Sequence, residues 1–104
     1  MDVMTDHDLK KALEYLREWK TRRPRLTEAD DVFKVAKWLD FDVIKPNGGS
    51  HFQLRHVKLL QYPKFFGTMG AVTMAPHHSK LKWCYVDDFI DAVELILGYE
   101  IPPE

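Results

Sequence analysis

A glycine-rich turn followed by a short alternating segment occupies the middle of the chain, at Asn47–His56. Asn-Gly-Gly predicts a tight turn, because glycine accepts the positive backbone φ that such turns require. Successive side chains of a strand point to opposite faces, so Phe52 and Leu54 share a face suited to a core. The other face takes three polar side chains: His51, Gln53 and Arg55. The segment predicts a hairpin strand with a polar side, and an ordinary edge hairpin fits the same pattern.

The size and composition of the chain predict one small globular domain, because 104 residues of which 45% are hydrophobic can bury a single core. One cysteine, Cys84, excludes an internal disulfide. Residues Met1–Asp6 show no basic and then apolar leader, and the apolar runs are too short to span a bilayer. We therefore expect a cytoplasmic protein with no membrane segment.

The net charge is −1, but basic and acidic residues are concentrated in different segments of the chain. Residues 43 to 82 contain lysines, one arginine and four of the five histidines but no Asp or Glu, whereas residues 83 to 104 contain acids but no Lys or Arg. The middle segment is thus a candidate for binding an anion such as a phosphate backbone. Sorting of charges by structural element is the alternative explanation. Near-neutrality overall argues against tight, sequence-blind binding of nucleic acid.

Two helices are predicted in the first part of the chain. Residues 5 to 22 carry apolar side chains at helical spacing, begin with residues that cap helices, and end before Pro24. A second helix is predicted at about 28 to 39, with Thr27 as its cap and acidic residues in its first turn.

A third helix is predicted at about 86 to 97, where apolar residues fall on one face and Gly98 provides a stop. Asp87 and Asp88 are expected at its positive N-terminal end.

Two further strands are predicted, one before the glycine-rich turn at residues 41 to 45 and one at residues 70 to 75. Residues 57 to 69 fit either an extended hairpin or an apolar loop. Their aromatic side chains, interleaved with Lys58 and Lys64, are suited to stacking on bases, docking a partner protein or closing over the core.

Adjacent histidines follow the last predicted strand, at His77 and His78. On an extended chain such neighbours point to opposite sides and make a poor chelating pair. The Cys/His spacing of a zinc site is absent, so we expect no metal and no cofactor. The order of elements is helix, helix, three strands, helix. It predicts an α+β fold, a three-stranded antiparallel sheet with helices packed on one face.

Three pieces of sequence from residue 28 onward occur in a fixed order. Gly49–His51 opens the turn-strand segment, Val72–His78 ends a strand with Pro-His-His, and the helix at about 86 to 97 follows. This order resembles the HicA-type toxin family, small mRNA interferases with a double-stranded-RNA-binding-domain-like (dsRBD-like) αβββα fold. The resemblance implies a single domain, 1–104, with a HicA-like core at 26–98 and an additional N-terminal helix at 1–25.

By that resemblance His51 is the catalytic histidine of a metal-independent endoribonuclease that cleaves mRNA. The resemblance also implies a HicB-like antitoxin protein as partner. Polar and basic residues around His51 are then expected to contact RNA: Ser50, Gln53, Arg55, Lys58, His77, His78 and Lys80.

The chain departs from the family in its N-terminal helix, in the longer segment at 57–69, and in having Tyr85–Asp88 where the last helix often starts with a Lys-Gly-Thr-like sequence. A non-catalytic RNA- or protein-binding module on the same fold is therefore the alternative function.

Overall fold

The computed structural model describes residues 4–104; the expectation that no leader opens the chain falls partly on residues 1–3, which lie outside the described residues. Helices and short strands are interspersed along the chain. Their bounds are α1 Asp6–Arg22, β1 Leu26–Glu28, α2 Ala29–Trp38, β2 Asp42–Ile44, β3 Phe52–Arg55, a 3₁₀ turn Val57–Gln61, α3 Pro63–Phe66, β4 Ala71–Met74, β5 Lys80–Lys82 and α4 Trp83–Leu97.

The central sheet has the strand order β2-β3-β4 and is antiparallel throughout. Leu54 of β3 lies between Val43 of β2 and Val72 of β4, so these three side chains share one face. This sheet, together with α2 and α4, confirms the predicted α+β class and the αβββα order with an extra N-terminal helix. A second sheet of two strands, β1 and β5, was not predicted.

Helix α1 begins and ends as its sequence predicts. The Thr5 hydroxyl caps it by accepting a hydrogen bond from the Asp8 backbone N–H at 3.0 Å. Arg23 ends it in the left-handed region with φ 47°, ahead of Pro24. Its buried residues belong to the same core as those of α2 and α4, so the additional helix is an integral part of the fold.

The prediction that Thr27 caps the second helix is wrong. Thr27 pairs with Leu81 in the two-stranded sheet and is buried, with no hydrogen-bond partner for its hydroxyl among the described residues. Glu28 holds the cap position without a side-chain bond, and the Ala29 N–H donates instead to the Ser79 carbonyl at 2.9 Å. Strand pairing thus satisfies the backbone that a capping side chain was expected to satisfy.

Helix α4 starts at Trp83, earlier than predicted, which places Asp87 and Asp88 in its second turn rather than at its positive end. Gly98 ends it with φ 81°, as expected. The buried face of α4 packs on the central sheet, and Phe89 lies 5.3 Å from the Phe41 ring between their centroids.

Glu94 joins three parts of the chain. Its carboxylate accepts hydrogen bonds from the Lys20 ammonium of α1 and from the Ile101 backbone N–H, each at 2.7 Å. Ile101 is 1% exposed, so the segment after α4 contributes to the core. Among residues 4–104, no helix combines the length and apolar character needed to cross a membrane.

The segment that the sequence left unassigned folds as the 3₁₀ turn and the short helix α3. Leu59 fills the core from this segment, whereas Val57, Phe65 and Met69 lie exposed. Gly70 closes it at φ 64°, where an added Cβ would come within 3.0 Å of the Leu60 backbone nitrogen. A glycine is therefore required at the point where this segment returns to β4.

Candidate functional site

His51 lies immediately before β3 and is exposed to solvent. Gly48 and Gly49, at φ 86° and 80°, deliver the chain to it through the left-handed region that favours glycine. Phe52 pairs with Met74, so antiparallel pairing places His51 beside the chain that leaves β4. The predicted catalytic residue is thus accessible and close to the segment that carries the paired histidines.

A cleft of about 510 Å³ opens between that segment and β5, and we call it the histidine cleft. It brings together four of the residues expected to contact RNA: Ser50, His77, His78 and Lys80. The rest of its lining is largely apolar or basic: Leu26, Ala75, Pro76, Lys82 and Tyr85. Positive charge and an imidazole pair at the rim suit this cleft to an anionic ligand.

The paired histidines form a tight turn instead of an extended chain, which corrects the expected geometry. His77 and Lys80 exchange backbone hydrogen bonds of 2.8 and 3.0 Å, while His78 and Ser79 adopt positive φ of 52° and 64°. The two imidazole centroids therefore lie 4.3 Å apart, edge to face. Within residues 4–104, no group of three or more metal-binding side chains lies together.

The basic segment meets acidic residues from other elements. Lys80 forms an ion pair with Glu28, its cross-strand partner on β1, and both side chains are partly exposed. Arg55 lies opposite Asp42 in the register of the central sheet, although no ion pair of 4.0 Å or less joins them. The positive surface that the sequence predicts between residues 43 and 82 is therefore partly neutralised in the fold.

The uncovered face of the central sheet presents Gln53 and Arg55, as predicted, on the side opposite buried Leu54. Gln53 accepts a hydrogen bond of 3.2 Å from the hydroxyl of Thr73 on the neighbouring strand. Lys58 lies apart from both of these residues and from the histidine cleft, because its ammonium donates to the Ile96 carbonyl near the end of α4 at 3.5 Å.

A second polar cleft, of about 420 Å³, lies at the Arg55 end of β3, and we call it the arginine cleft. Its polar lining is Asp40, Asp42, Arg55 and His56, and its apolar lining is Val57, Leu60 and Met69. The Arg55 Nε is buried, and no hydrogen-bond partner for it occurs in the described part of the chain.

His56 is held neutral at the wall of the arginine cleft. Its Nδ1 accepts a hydrogen bond from the Lys58 backbone N–H at 3.1 Å, which leaves Nε2 as the protonated nitrogen. Burial lowers the pKa of His56, only partly offset by the nearby Asp40 carboxylate. Sequence reasoning missed Asp40, Asp42 and His56 as a group; only the apposition of β2 with β3 brings them together.

Comparison of the chain with protein-family models, with curated proteins and with solved structures finds no match in any of the three. The resemblance to HicA-type toxins therefore depends on the Gly49–His51 and Val72–His78 motifs and on the order of elements around them. The fold itself defines the class of protein, a small α+β domain built on a three-stranded antiparallel sheet.

Proposed function

We propose that the chain is a HicA-like endoribonuclease that cleaves mRNA with His51 as its catalytic base. The observation that carries this proposal is the position of His51, which is exposed after a glycine turn and adjacent to Ser50 of the histidine cleft. Histidine is the side chain most often used as a general acid or base, and an exposed imidazole is open to a substrate.

The proposed reaction uses the 2′-hydroxyl of the RNA as its nucleophile. Neutral His51 removes the proton from this hydroxyl, and the oxygen attacks the adjacent phosphorus. The bond to the 5′-oxygen of the next nucleotide breaks, which yields a 2′,3′-cyclic phosphate and, after protonation, a 5′-hydroxyl end. General acid–base assistance of this kind accelerates reactions by about 10²–10⁴-fold. His77 and His78, in the adjacent cleft, are the candidates for protonating the leaving oxygen.

Binding of the RNA is assigned to the two surfaces that flank His51. Ser50, Lys80 and the paired histidines line the histidine cleft on one side, and Gln53 and Arg55 lie along the sheet on the other. Lysine and arginine contact phosphates, and polar side chains orient the strand. The proposal includes a cytoplasmic location and a HicB-like antitoxin that holds the nuclease inactive.

The test is cleavage of a single-stranded RNA by the purified protein in the presence of a chelator. We expect the parent and a His7→Ala control to cleave, because His7 is an exposed histidine on α1, and we expect His51→Ala not to cleave. Products should carry cyclic phosphate ends, and a substrate with 2′-deoxyribose at the cleaved position should survive.

Two results would contradict the proposal. Cleavage by His51→Ala at the rate of the parent removes His51 from the mechanism. Binding of RNA by the parent without cleavage assigns the fold to a non-catalytic RNA-binding module. In cells, expression of the parent should arrest growth, and expression of His51→Ala should not.

A further inference from the structure

The arginine cleft contains hydrogen-bond donors and acceptors of which the proposed RNA surface uses only Arg55. The Arg55 guanidinium is a donor, and the Asp40 and Asp42 carboxylates are acceptors. The Arg55 Nε lacks a partner within residues 4–104, and Arg55 forms no ion pair of 4.0 Å or less with a described carboxylate. A ligand with both donors and acceptors would satisfy these groups.

Exposed apolar side chains border the same groups. Val57, Leu60 and Met69 all belong to the segment after β3, and each is largely exposed although it lines the cleft. A planar ring can pack on such side chains while its edge reaches the polar groups. The combination of an apolar wall with polar groups of both signs is typical of a pocket for a nucleobase and not of a phosphate site.

We propose that the arginine cleft binds a guanine base of the RNA substrate and so determines where the chain cleaves. This inference rests on the proposed function. Guanine offers O6 and N7 as acceptors for arginine, and its N1–H and N2–H₂ donors form a pair that a carboxylate accepts. Asp42 and Arg55 are direct cross-strand partners on the uncovered sheet face. Arg55 can therefore contact the O6/N7 edge of a base while Asp42 contacts its N1/N2 edge.

The other bases satisfy the cleft less completely. Adenine lacks the O6 acceptor, the N1–H and the N2 amino group, so both carboxylate bonds and one arginine bond are lost. Cytosine and uracil offer no N7 and have a smaller ring to pack against Leu60 and Met69. Guanine is therefore the base whose donors and acceptors best match Arg55 and the carboxylates of the cleft.

Strand β3 fixes the distance between this pocket and the proposed catalytic residue. Arg55 follows His51 by four positions, which corresponds to about 13 Å along an extended strand. The preferred guanine should thus lie at a constant offset from the cleaved bond and not at the bond itself.

The test measures binding of single-stranded oligouridines, each with one guanosine, adenosine, cytidine or inosine, to the His51→Ala protein by fluorescence anisotropy. We expect the guanosine oligomer to bind about 5- to 150-fold more tightly than the others, the range that one bidentate base contact provides. Inosine, which lacks the N2 amino group, should lose most of this preference. Asp42→Asn should abolish it, and Asp30→Asn, on the exposed start of α2, should retain it.

A second measurement does not depend on the His51 variant: the parent cleaves a random RNA library, and the ends are sequenced. Cleavage without guanine at a constant offset overturns the guanine pocket and leaves the proposed nuclease intact. Guanine-selective binding without cleavage supports the pocket and overturns the nuclease. A preference that persists in Asp42→Asn, equal binding of all four bases, or no binding of RNA overturns the pocket.

Discussion

Lys80 and Glu28 face each other across the two-stranded sheet and form an ion pair, although about half of the chain lies between them in sequence. The pair places a carboxylate against Lys80, which lines the histidine cleft and belongs to the segment in which the sequence has no acidic residue. Glu28 therefore sets how strongly Lys80 can attract an anion.

Removal of that carboxylate should strengthen RNA binding. In Glu28→Gln, Lys80 is released to contact a phosphate, so the slope of log affinity against log salt should become steeper by about 0.7, the value for one added contact to a single strand. Lys80→Glu should weaken binding and flatten the slope. Titrations at several salt concentrations measure both changes.

The matched control is Glu18→Gln, which removes one carboxylate from an exposed ion pair with Arg22 on α1. It should leave the slope unchanged. An equal gain in affinity from Glu18→Gln and Glu28→Gln would mean that only net charge matters, and a slope insensitive to both Glu28→Gln and Lys80→Glu would exclude Lys80 from the RNA interface.

The two histidines that flank β3, His51 and His56, should respond differently to substitution by alanine. His51 is exposed and has no hydrogen bond to a described residue, so His51→Ala should abolish cleavage and change the free energy of unfolding by no more than about 0.5 kcal/mol. His56→Ala removes the acceptor of the Lys58 N–H and the contact with Phe41, and should cost about 1–3 kcal/mol. Urea denaturation of both variants measures this; a large loss of stability in His51→Ala would make His51 a structural residue.

Glu94 should contribute more to the free energy of unfolding than an exposed acidic residue does. Glu94→Ala leaves the Lys20 ammonium and the Ile101 N–H without their acceptor and should destabilise the protein by about 1–3 kcal/mol. Glu100→Ala, on the exposed chain just before Ile101, is the control and should have little effect. Equal unfolding midpoints for the two variants would show that Glu94 does not hold the end of the chain to α1.

Asp88→Asn should stabilise the protein at neutral pH. Burial, followed by repulsion from Asp87, raises the pKa of Asp88 above its ordinary value of 3.8. A raised pKa favours folding while the carboxyl is protonated, and this contribution disappears as pH rises through the folded-state pKa. The variant should therefore melt above the parent at pH 7 and lose that advantage near pH 3.5. Asp30→Asn serves as the control, and an advantage independent of pH would contradict the argument.

The sequence was informative where a pattern repeats within one element. Alternation around Leu54 and helical spacing around Phe89 identified the sheet and the last helix, because burial of one face dictates both patterns. The pairing of β1 with β5 was not predictable in this way, since each strand has only three residues and its partner is remote in sequence. Thr27 was misassigned as a cap for the same reason.

In the candidate site, too, local features were predictable from sequence and features that depend on strand register were not. The exposure of His51 and the polar face with Gln53 follow from local alternation and a glycine turn. The approach of Ser50 to His78, and of Asp42 to Arg55, depends on strand register, which no single segment of sequence reveals.

The remote pairing of Leu26 with Lys82 also has a consequence for the order of folding. Both residues line the histidine cleft, so the cleft is complete only after β5 has returned to β1. Closing a long loop costs more entropy than closing the short hairpins of the central sheet, which should form first. On the ribosome, the hairpin that carries His51 emerges before β5, so the β5 wall of the histidine cleft can form only after the central sheet has its strands.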